Sequence, residues 1–178
     1  IELNDKIKNL QNYTFKGCTS LLSVSGTEAV EKLGTYVFNK CSSLTSVNLP
    51  NVTELGNSAF AESGLTSFDG SKLTKVGTFV FDGCANLASV TLNDKLTALN
   101  TAFFRNCTSL TTVTLPSALK ALPDRLFEGS GITTVDIPDA VTAVPDGKQT
   151  SAKNPVTGSY DTVYQTIFAD CLNLEDVN

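Results

Sequence analysis

The most reactive side chains in this sequence are five cysteine thiols, at Cys18, Cys41, Cys84, Cys107 and Cys171. A thiolate can attack an electrophile, form a disulfide or bind a metal ion. The sequence contains no histidine, which removes the Cys-His and Ser-His-Asp arrangements that activate nucleophiles and the commonest metal ligand in proteins. We therefore predict no catalytic residue, no metal site and no cofactor.

A second possible site is the segment "DGKQT" (146–150), which places Gly-Lys beside a hydroxyl, as a phosphate-binding loop does. Such a loop needs another glycine five residues earlier, and Thr142 stands there. A Ser-Lys dyad stays formally open because serine is abundant, but no lysine is distinguished by its spacing. We therefore expect a protein that is not an enzyme.

Composition and charge exclude two classes of partner. The net charge is −5 and the 13 basic residues are scattered, whereas nucleic-acid binding needs a clustered basic face. No apolar run is long enough to span a membrane. Because the sequence contains no methionine, we expect an excerpt of a longer protein.

The cysteines recur inside a repeated motif, which is the element that must position them. Its copies are "FKGCTSLLSV" (15–24), "FNKCSSLTSV" (38–47), "FDGCANLASV" (81–90), "FRNCTSLTTV" (104–113) and "FADCLNLEDV" (168–177). Two copies are one residue shorter and carry Ser63 or Ser130 in place of cysteine: "FAESGLTSF" (60–68) and "FEGSGITTV" (127–135). The chain thus forms one array, 1–178, of about seven repeats of 21–23 residues.

A unit of this size cannot bury its own apolar face, so each copy must stack on its neighbours. In "LTSVNLP" (44–50) apolar and polar residues alternate, which predicts a short strand. Stacked copies would place these strands side by side in one parallel sheet. The side chains expected to point inward are Leu44, Val47, Leu49, Val52, Leu55 and Phe60.

The segments "AFAESGLTSF" and "YVFNKCSSLTSVNLPNVTELG" resemble the BspA-like, or treponemal-type, family of leucine-rich repeats. The resemblance implies a leucine-rich-repeat solenoid, a right-handed superhelix with one parallel β-sheet on the concave face and short turns, 3-10 turns or short strands on the convex side. It also implies a secreted or cell-surface protein that takes part in adhesion. Its partner would be a protein or glycan ligand on a host or neighbouring cell.

Two cysteines at equivalent positions of adjacent turns would be close enough for a disulfide. Parallel stacking makes their Cα–Cβ bonds run side by side, however, and the number of cysteines is odd. Serine replaces cysteine only in the two shorter copies, so the replacement follows backbone geometry. We predict five free thiols that fill a turn as small buried side chains.

Two surfaces are candidates for binding. The first comprises small polar residues that flank the central strand residue on what should be the concave, solvent-facing side: Ser46, Asn48, Ser67, Asp69, Ser89, Thr91, Thr112, Thr114, Thr134 and Asp136. They contain no aromatic residue or cation, so a hydroxyl ladder that merely supports the sheet is the alternative interpretation.

The second candidate is an insertion in the last repeat, residues 147–165. It brings Lys148, Lys153, Tyr160 and Tyr164 together in one segment of an acidic protein, and a tolerated surface loop is the alternative. The sequence therefore predicts an extracellular interaction or adhesion scaffold. A passive stalk that presents other domains, or the non-catalytic part of a secreted enzyme, remains an alternative.

Overall fold

The chain forms a solenoid in which each strand pairing among the described residues is parallel and joins equivalent positions of two repeats. The computed structural model describes residues 1–143 and 167–177. The strands there are β1 (Asn9–Leu10), β2 (Lys32–Leu33), β3 (Glu54–Leu55), β4 (Ser67–Gly70), β5 (Lys75–Val76), β6 (Ser89–Leu92), β7 (Thr134–Val135) and β8 (Asp176–Val177). The predicted leucine-rich-repeat solenoid is confirmed.

A stack of phenylalanine rings runs through the core, with one ring from each turn of the coil. Neighbouring ring centroids lie 5.3 to 5.9 Å apart, and the ring planes differ by 14° or less. The stack consists of Phe15, Phe38, Phe60, Phe81, Phe104, Phe127 and Phe168. Burying one such ring contributes about 2–3 kcal/mol, so each turn needs the same residue at the same offset.

The side chains predicted to point inward lie in the core. Leu44, Leu49, Val52, Leu55 and Phe60 are buried, and Val47 is partly buried against them. The alternation in the sequence therefore gave the correct face of the coil.

The sheet predicted at the motif valine is parallel, but it is not continuous. β4 pairs with β6 and β7 with β8, whereas the repeats around Val47 and Val113 form no strand there. The parallel pairing predicted at this position is thus confirmed, but the described residues form it as two separate pairs of strands rather than as one continuous sheet.

A second ladder joins β1, β2, β3 and β5 in that order, at the short strands that the family resemblance implied opposite the main sheet. Gly34, Gly56 and Gly77 directly follow β2, β3 and β5. A Cβ on each would lie 2.5 Å from an atom of the preceding turn. The next repeat carries Asn100 at this position, and its Nδ2 donates to the Val76 carbonyl oxygen at 2.6 Å. A side-chain bond thus replaces the backbone bond where the four-stranded ladder ends.

A third ladder runs through the five residues centred on each core phenylalanine, which we call the turn segment. The amides of its first, third and fifth residues donate to the next turn; Tyr36, Phe38 and Lys40 donate to the carbonyls of Asn57, Ala59 and Ala61 at 2.9, 2.7 and 2.8 Å. The first and fifth residues have positive φ, as at Tyr36 (59°) and Lys40 (62°). A left-handed non-glycine residue costs about 1–2 kcal/mol, and the three inter-turn bonds, at about 1 kcal/mol each, offset that cost.

Candidate functional site

The ten polar residues predicted on the solvent side of the main sheet are all exposed. Their strands place Ser67 beside Ser89 and Asp69 beside Thr91 in the β4–β6 register. The carboxylate of Asp69 accepts a hydrogen bond from the Ser71 amide at 3.0 Å, and the bonds from Ser71 lower the pKa of that carboxyl. This face therefore presents small hydroxyl, amide and carboxylate groups, without an aromatic ring or a cation.

The cysteines form a ladder of thiol donors in the core rather than a reactive site. Each buried Sγ donates to the carbonyl oxygen of the core phenylalanine in the turn before it: from Cys41 to Phe15 at 3.1 Å, from Cys84 to Phe60 at 3.0 Å, from Cys107 to Phe81 at 3.1 Å and from Cys171 to Phe127 at 2.8 Å. All five thiols are free. The position thus requires a small group that also donates a hydrogen bond.

Burial holds these thiols in the neutral form. It raises the pKa of Cys84 to about 11, and burial together with the nearby Cys18 raises the pKa of Cys41 to about 11. Burial also raises the pKa of Cys107 and Cys171. A thiol with so high a pKa is a poor nucleophile at neutral pH. Cys18, in the first turn, is exposed, so the prediction of a buried plug is wrong for this residue.

Ser63 and Ser130 stand where other repeats have cysteine, and their surroundings support the interpretation that this replacement follows backbone geometry. Ser63 Oγ lies 3.4 Å from Cys84 Sγ, and Ser130 Oγ lies 3.6 Å from Cys171 Sγ. In each shorter repeat the next residue is glycine, and a Cβ on Gly64 or Gly131 would lie 2.2 Å from a carbonyl oxygen of the preceding turn. The shorter loop therefore brings the backbone closer to the turn before it.

The candidate residues of the insertion, Lys148, Lys153, Tyr160 and Tyr164, lie outside the described residues. The structure describes the chain up to Ala143 and again from Ile167. Ala143 forms a parallel bridge with Ala121. After the insertion, Ile167 accepts a hydrogen bond from the Phe127 amide at 2.8 Å. The insertion therefore begins after the second ladder and ends before the next turn segment.

The structure also shows an aromatic and cationic cluster that sequence reasoning missed. The rings of Tyr13 and Tyr36 are stacked with centroids 5.5 Å apart and planes 11° apart. Lys16 Nζ lies 5.3 Å from the centroid of Tyr13 and 4.8 Å from that of Tyr36. Each tyrosine is the first residue of its turn segment, so aligning the repeats would have placed both rings in adjacent turns. This cluster belongs to neither of the two candidate surfaces that the sequence indicated.

A related but neutralised arrangement lies farther along the coil. The guanidinium of Arg105 lies 5.3 Å from the centroid of the Phe79 ring. It also donates two hydrogen bonds to the Asp82 carboxylate, at 2.8 and 2.7 Å. These side chains are largely buried, with 25% of Arg105 and 17% of Asp82 exposed. This pair therefore has a structural role within the turn ladder.

Residues 1–143 and 167–177 contain neither a metal site nor a membrane-spanning helix. No group of three or more histidine, cysteine, aspartate or glutamate side chains in this part of the chain could hold a metal ion. Within the same ranges, no helix combines the length and apolar character that crossing a membrane requires.

Comparison with solved structures shows the same fold in bacterial proteins. The T. pallidum leucine-rich repeat protein TpLRR is 26% identical, with a TM-score of 0.80 over 99% of this chain and 78% of that one. A leucine-rich repeat protein from Bacteroides ovatus is 19% identical with a TM-score of 0.70, and the match covers 99% of this chain but only 54% of that protein. Pneumococcal vaccine antigen PcpA is 16% identical, with a TM-score of 0.61 and 55% of its chain covered. The chain thus spans about half the length of two of these three proteins.

No curated protein sequence matches the chain. A family profile described as the BspA type leucine-rich repeat region does match it, in overlapping ranges of residues 1–84, 51–148 and 74–178. These ranges span the whole chain, and the ladders described above repeat with the same period. The chain therefore belongs to the BspA-type leucine-rich repeat family.

Proposed function

We propose that this chain is a non-catalytic interaction and adhesion scaffold of a secreted or cell-surface protein, and that the insertion, residues 147–165, is its main contact with a partner. The partner would be a protein or a glycan on a host or neighbouring cell. Family membership supports this proposal, because proteins of this type are typically secreted or displayed on cells and take part in adhesion.

The observation that carries the proposal is the strand register on either side of the insertion. β7 pairs with β8 so that Thr134 lies beside Asp176 and Val135 beside Val177. Two turn-ladder bonds also join these repeats, from Phe127 to Ile167 at 2.8 Å and from Gly129 to Ala169 at 2.7 Å. The coil therefore continues in register, and the inserted residues are not needed to close it.

The composition of the insertion fits a contact surface better than the sheet face does. Lys148, Lys153, Tyr160 and Tyr164 supply two cations and two phenols, and tyrosine provides a large contact area with few rotatable bonds. The ten exposed residues of the sheet face provide neither group. Binding hot spots favour tyrosine, tryptophan and arginine, which favours the insertion over the sheet.

Deleting the insertion tests this proposal directly. Joining Asp146 to Thr166 restores a repeat of normal length, so we expect an unchanged circular dichroism spectrum and a melting temperature within about 3 °C of the parent, equivalent to about 1 kcal/mol. The parent, the deletion variant and a variant with a Gly-Ser segment of equal length would be screened against immobilised matrix proteins and a glycan array.

We expect a partner of the parent chain to lose at least tenfold in affinity, about 1.4 kcal/mol, in both variants. A substitution confined to the sheet face, Thr91→Ala with Thr114→Ala, serves as the matched control and should leave that affinity unchanged. Equal binding by the parent and the deletion variant would refute the assignment to the insertion. Failure of the parent to bind any probe would favour the passive stalk.

A further inference from the structure

The junction between the fourth and fifth turns of the coil, which contain Phe81 and Phe104, differs from most others at the main sheet. Elsewhere the amide that follows the motif leucine or isoleucine donates to the preceding turn at 2.7 to 3.0 Å. These bonds run from Thr66 to Thr45, from Ala88 to Thr66, from Thr133 to Thr111 and from Glu175 to Thr133. In the part of the chain that the structure describes, Thr111 makes no such bond to Ala88, and β6 pairs only with β4.

The second ladder is interrupted at the same junction. Before it, the glycine that follows β2 or β3 donates its amide to the preceding turn at 2.8 Å. In the fifth turn this position holds Asn100, whose side chain donates to the Val76 carbonyl instead. No backbone hydrogen bond of the described chain joins residues 71–77 to residues 94–100. The first and second turns also lack the main-sheet bond, but β1 and β2 pair there, so among the described turns only the fourth and fifth lack backbone bonds on both faces.

The turn-segment edge of this junction is, by contrast, strongly bonded. Three backbone hydrogen bonds of 2.8 to 3.1 Å cross it, from the first, third and fifth residues of the fourth turn segment. The bidentate pair of Arg105 with Asp82 joins the same two turns. The buried Phe103 ring also lies edge-on to the rings of Phe81 and Phe104, with centroids 5.4 and 4.7 Å away. The two turns are therefore held together along one edge.

Attachment along one edge allows two turns to tilt apart about that edge. In a stack of repeats, the interface between neighbours determines whether they open together or separately. The phenylalanine stack continues across the junction, with 5.9 Å between the centroids of Phe81 and Phe104, so the closed form is the native one. Tilting here separates apolar side chains and breaks the Asn100 bond, whereas at the other described junctions it also breaks backbone bonds on at least one face.

We propose that this junction is a hinge that divides the array into two cooperative units, one up to residue 92 and one from residue 101. The pair of Arg105 with Asp82 is the lock that couples the two units. The second unit opens first, because strands β1 to β6 all lie in the first unit, whereas the second contains the β7–β8 pair. Opening moves the turns that flank the insertion relative to the first four turns. The hinge does not depend on whether the insertion binds a partner.

The test is native-state hydrogen exchange of the full chain, resolved by residue or peptide over a series of urea concentrations below the unfolding transition. The slope with urea reports how much surface each opening exposes. We expect the hydrogen-bonded amides of residues 101–143 to exchange as one block, at least about tenfold faster than those of residues 32–92 and with a smaller slope than global unfolding. A gradual change along the chain, one common slope for both units, or a step at another junction would overturn the proposal.

Two variants in the first unit test the lock. Asp82→Asn weakens the bond to Arg105 and keeps the size of the side chain. Lys40→Met is the matched control, because Lys40 also pairs with a residue of the next turn segment, Glu62, but both partners lie inside the first unit. Melting temperatures confirm that the variants are folded, and the exchange profile of the parent tests the hinge even if Asp82→Asn does not fold.

We expect Asp82→Asn to accelerate exchange in residues 101–143 by about tenfold, since it removes a charge-assisted bond between the units. Lys40→Met should leave exchange in those residues unchanged, because it weakens a bond that their opening does not break. Arg105→Lys keeps the positive charge but not the bidentate geometry, and it should give a smaller increase than Asp82→Asn. Unchanged exchange in Asp82→Asn, or an equal increase in Asp82→Asn and Lys40→Met, would overturn the proposal.

Discussion

Replacing Gly56 by alanine tests whether close contact between turns holds the second ladder together. A Cβ at this position would lie 2.5 Å from the carbonyl carbon of Gly34, 2.6 Å from its oxygen and 2.6 Å from the amide nitrogen of Thr35. All three atoms belong to the backbone of the preceding turn. No rotation of a side chain can relieve the overlap, so the two turns must separate locally.

The expected loss of free energy of unfolding combines two destabilising contributions with one that stabilises. Overpacking against backbone costs up to about 3 kcal/mol. Separating the turns also weakens the bond from the Gly56 amide to the Leu33 carbonyl, at 2.8 Å, and one of its neighbours in the ladder, at about 1 kcal/mol each. Alanine restricts the unfolded chain and returns about 0.5–1 kcal/mol. The net loss is about 4 kcal/mol, which for a chain of this size lowers the melting temperature by roughly 8–16 °C.

The assay is thermal and urea denaturation followed by circular dichroism, with Gly17→Ala as the matched control. Gly17 has a φ of 74°, and a Cβ there would meet nothing within 4 Å. That substitution therefore carries only the cost of a left-handed alanine, about 1–2 kcal/mol. If Gly56→Ala destabilises the protein no more than Gly17→Ala does, contact between turns does not set the spacing of the coil.

Three further predictions concern the core. Titration with a thiol reagent at neutral pH should detect Cys18 quickly and the four buried thiols only after denaturation. The denatured, non-reduced protein should contain five reactive thiols in total. A lower total would reveal a disulfide. Burial of the Cys84 thiol in its neutral form stabilises the folded state fully at pH values below the ordinary thiol pKa of 9.0. This contribution to the free energy of unfolding should be lost as the pH rises from about 9 to about 11. An unchanged free energy of unfolding across this range would contradict the assigned burial. Phe81→Ala removes a fully buried ring that contacts rings on both sides. It should lower the free energy of unfolding, measured by urea denaturation, by about 3–5 kcal/mol. A decrease below about 1 kcal/mol would mean that the stack does not hold the turns together.

The repeated motif was sufficient to predict the stacking, the residues that point inward and the exposed side of the main sheet, because burial of an apolar face depends on residue spacing. It did not predict where each ladder stops. In the second ladder it depends on a single residue that departs from the repeat, Asn100 in place of glycine. The added side chain of asparagine acts locally and leaves the hydrophobic pattern unchanged.

The candidate sites show a different limit. The cluster of Tyr13, Lys16 and Tyr36 consists of residues that are unremarkable within their own repeats. Their proximity follows from register, since residues 23 positions apart in the sequence become stacked neighbours. Reading the columns of the turn segment in the same way as the sheet columns would have found the two tyrosines. The position of Lys16 over both rings also depends on its rotamer, which no alignment of repeats supplies.

The left-handed positions of the turn segment have a consequence for how such a chain can diversify. Glycine occupies three of these positions, Gly17, Gly83 and Gly129. The others hold tyrosine, lysine, serine, glutamate, phenylalanine, alanine, asparagine, arginine and aspartate, all with φ between 52° and 65°. Since neighbouring turns impose the conformation, the identity of the residue is not constrained by a need for glycine. Each added repeat thus supplies two variable sites in a fixed scaffold, and a combinatorial library restricted to them could change binding specificity without redesigning the core.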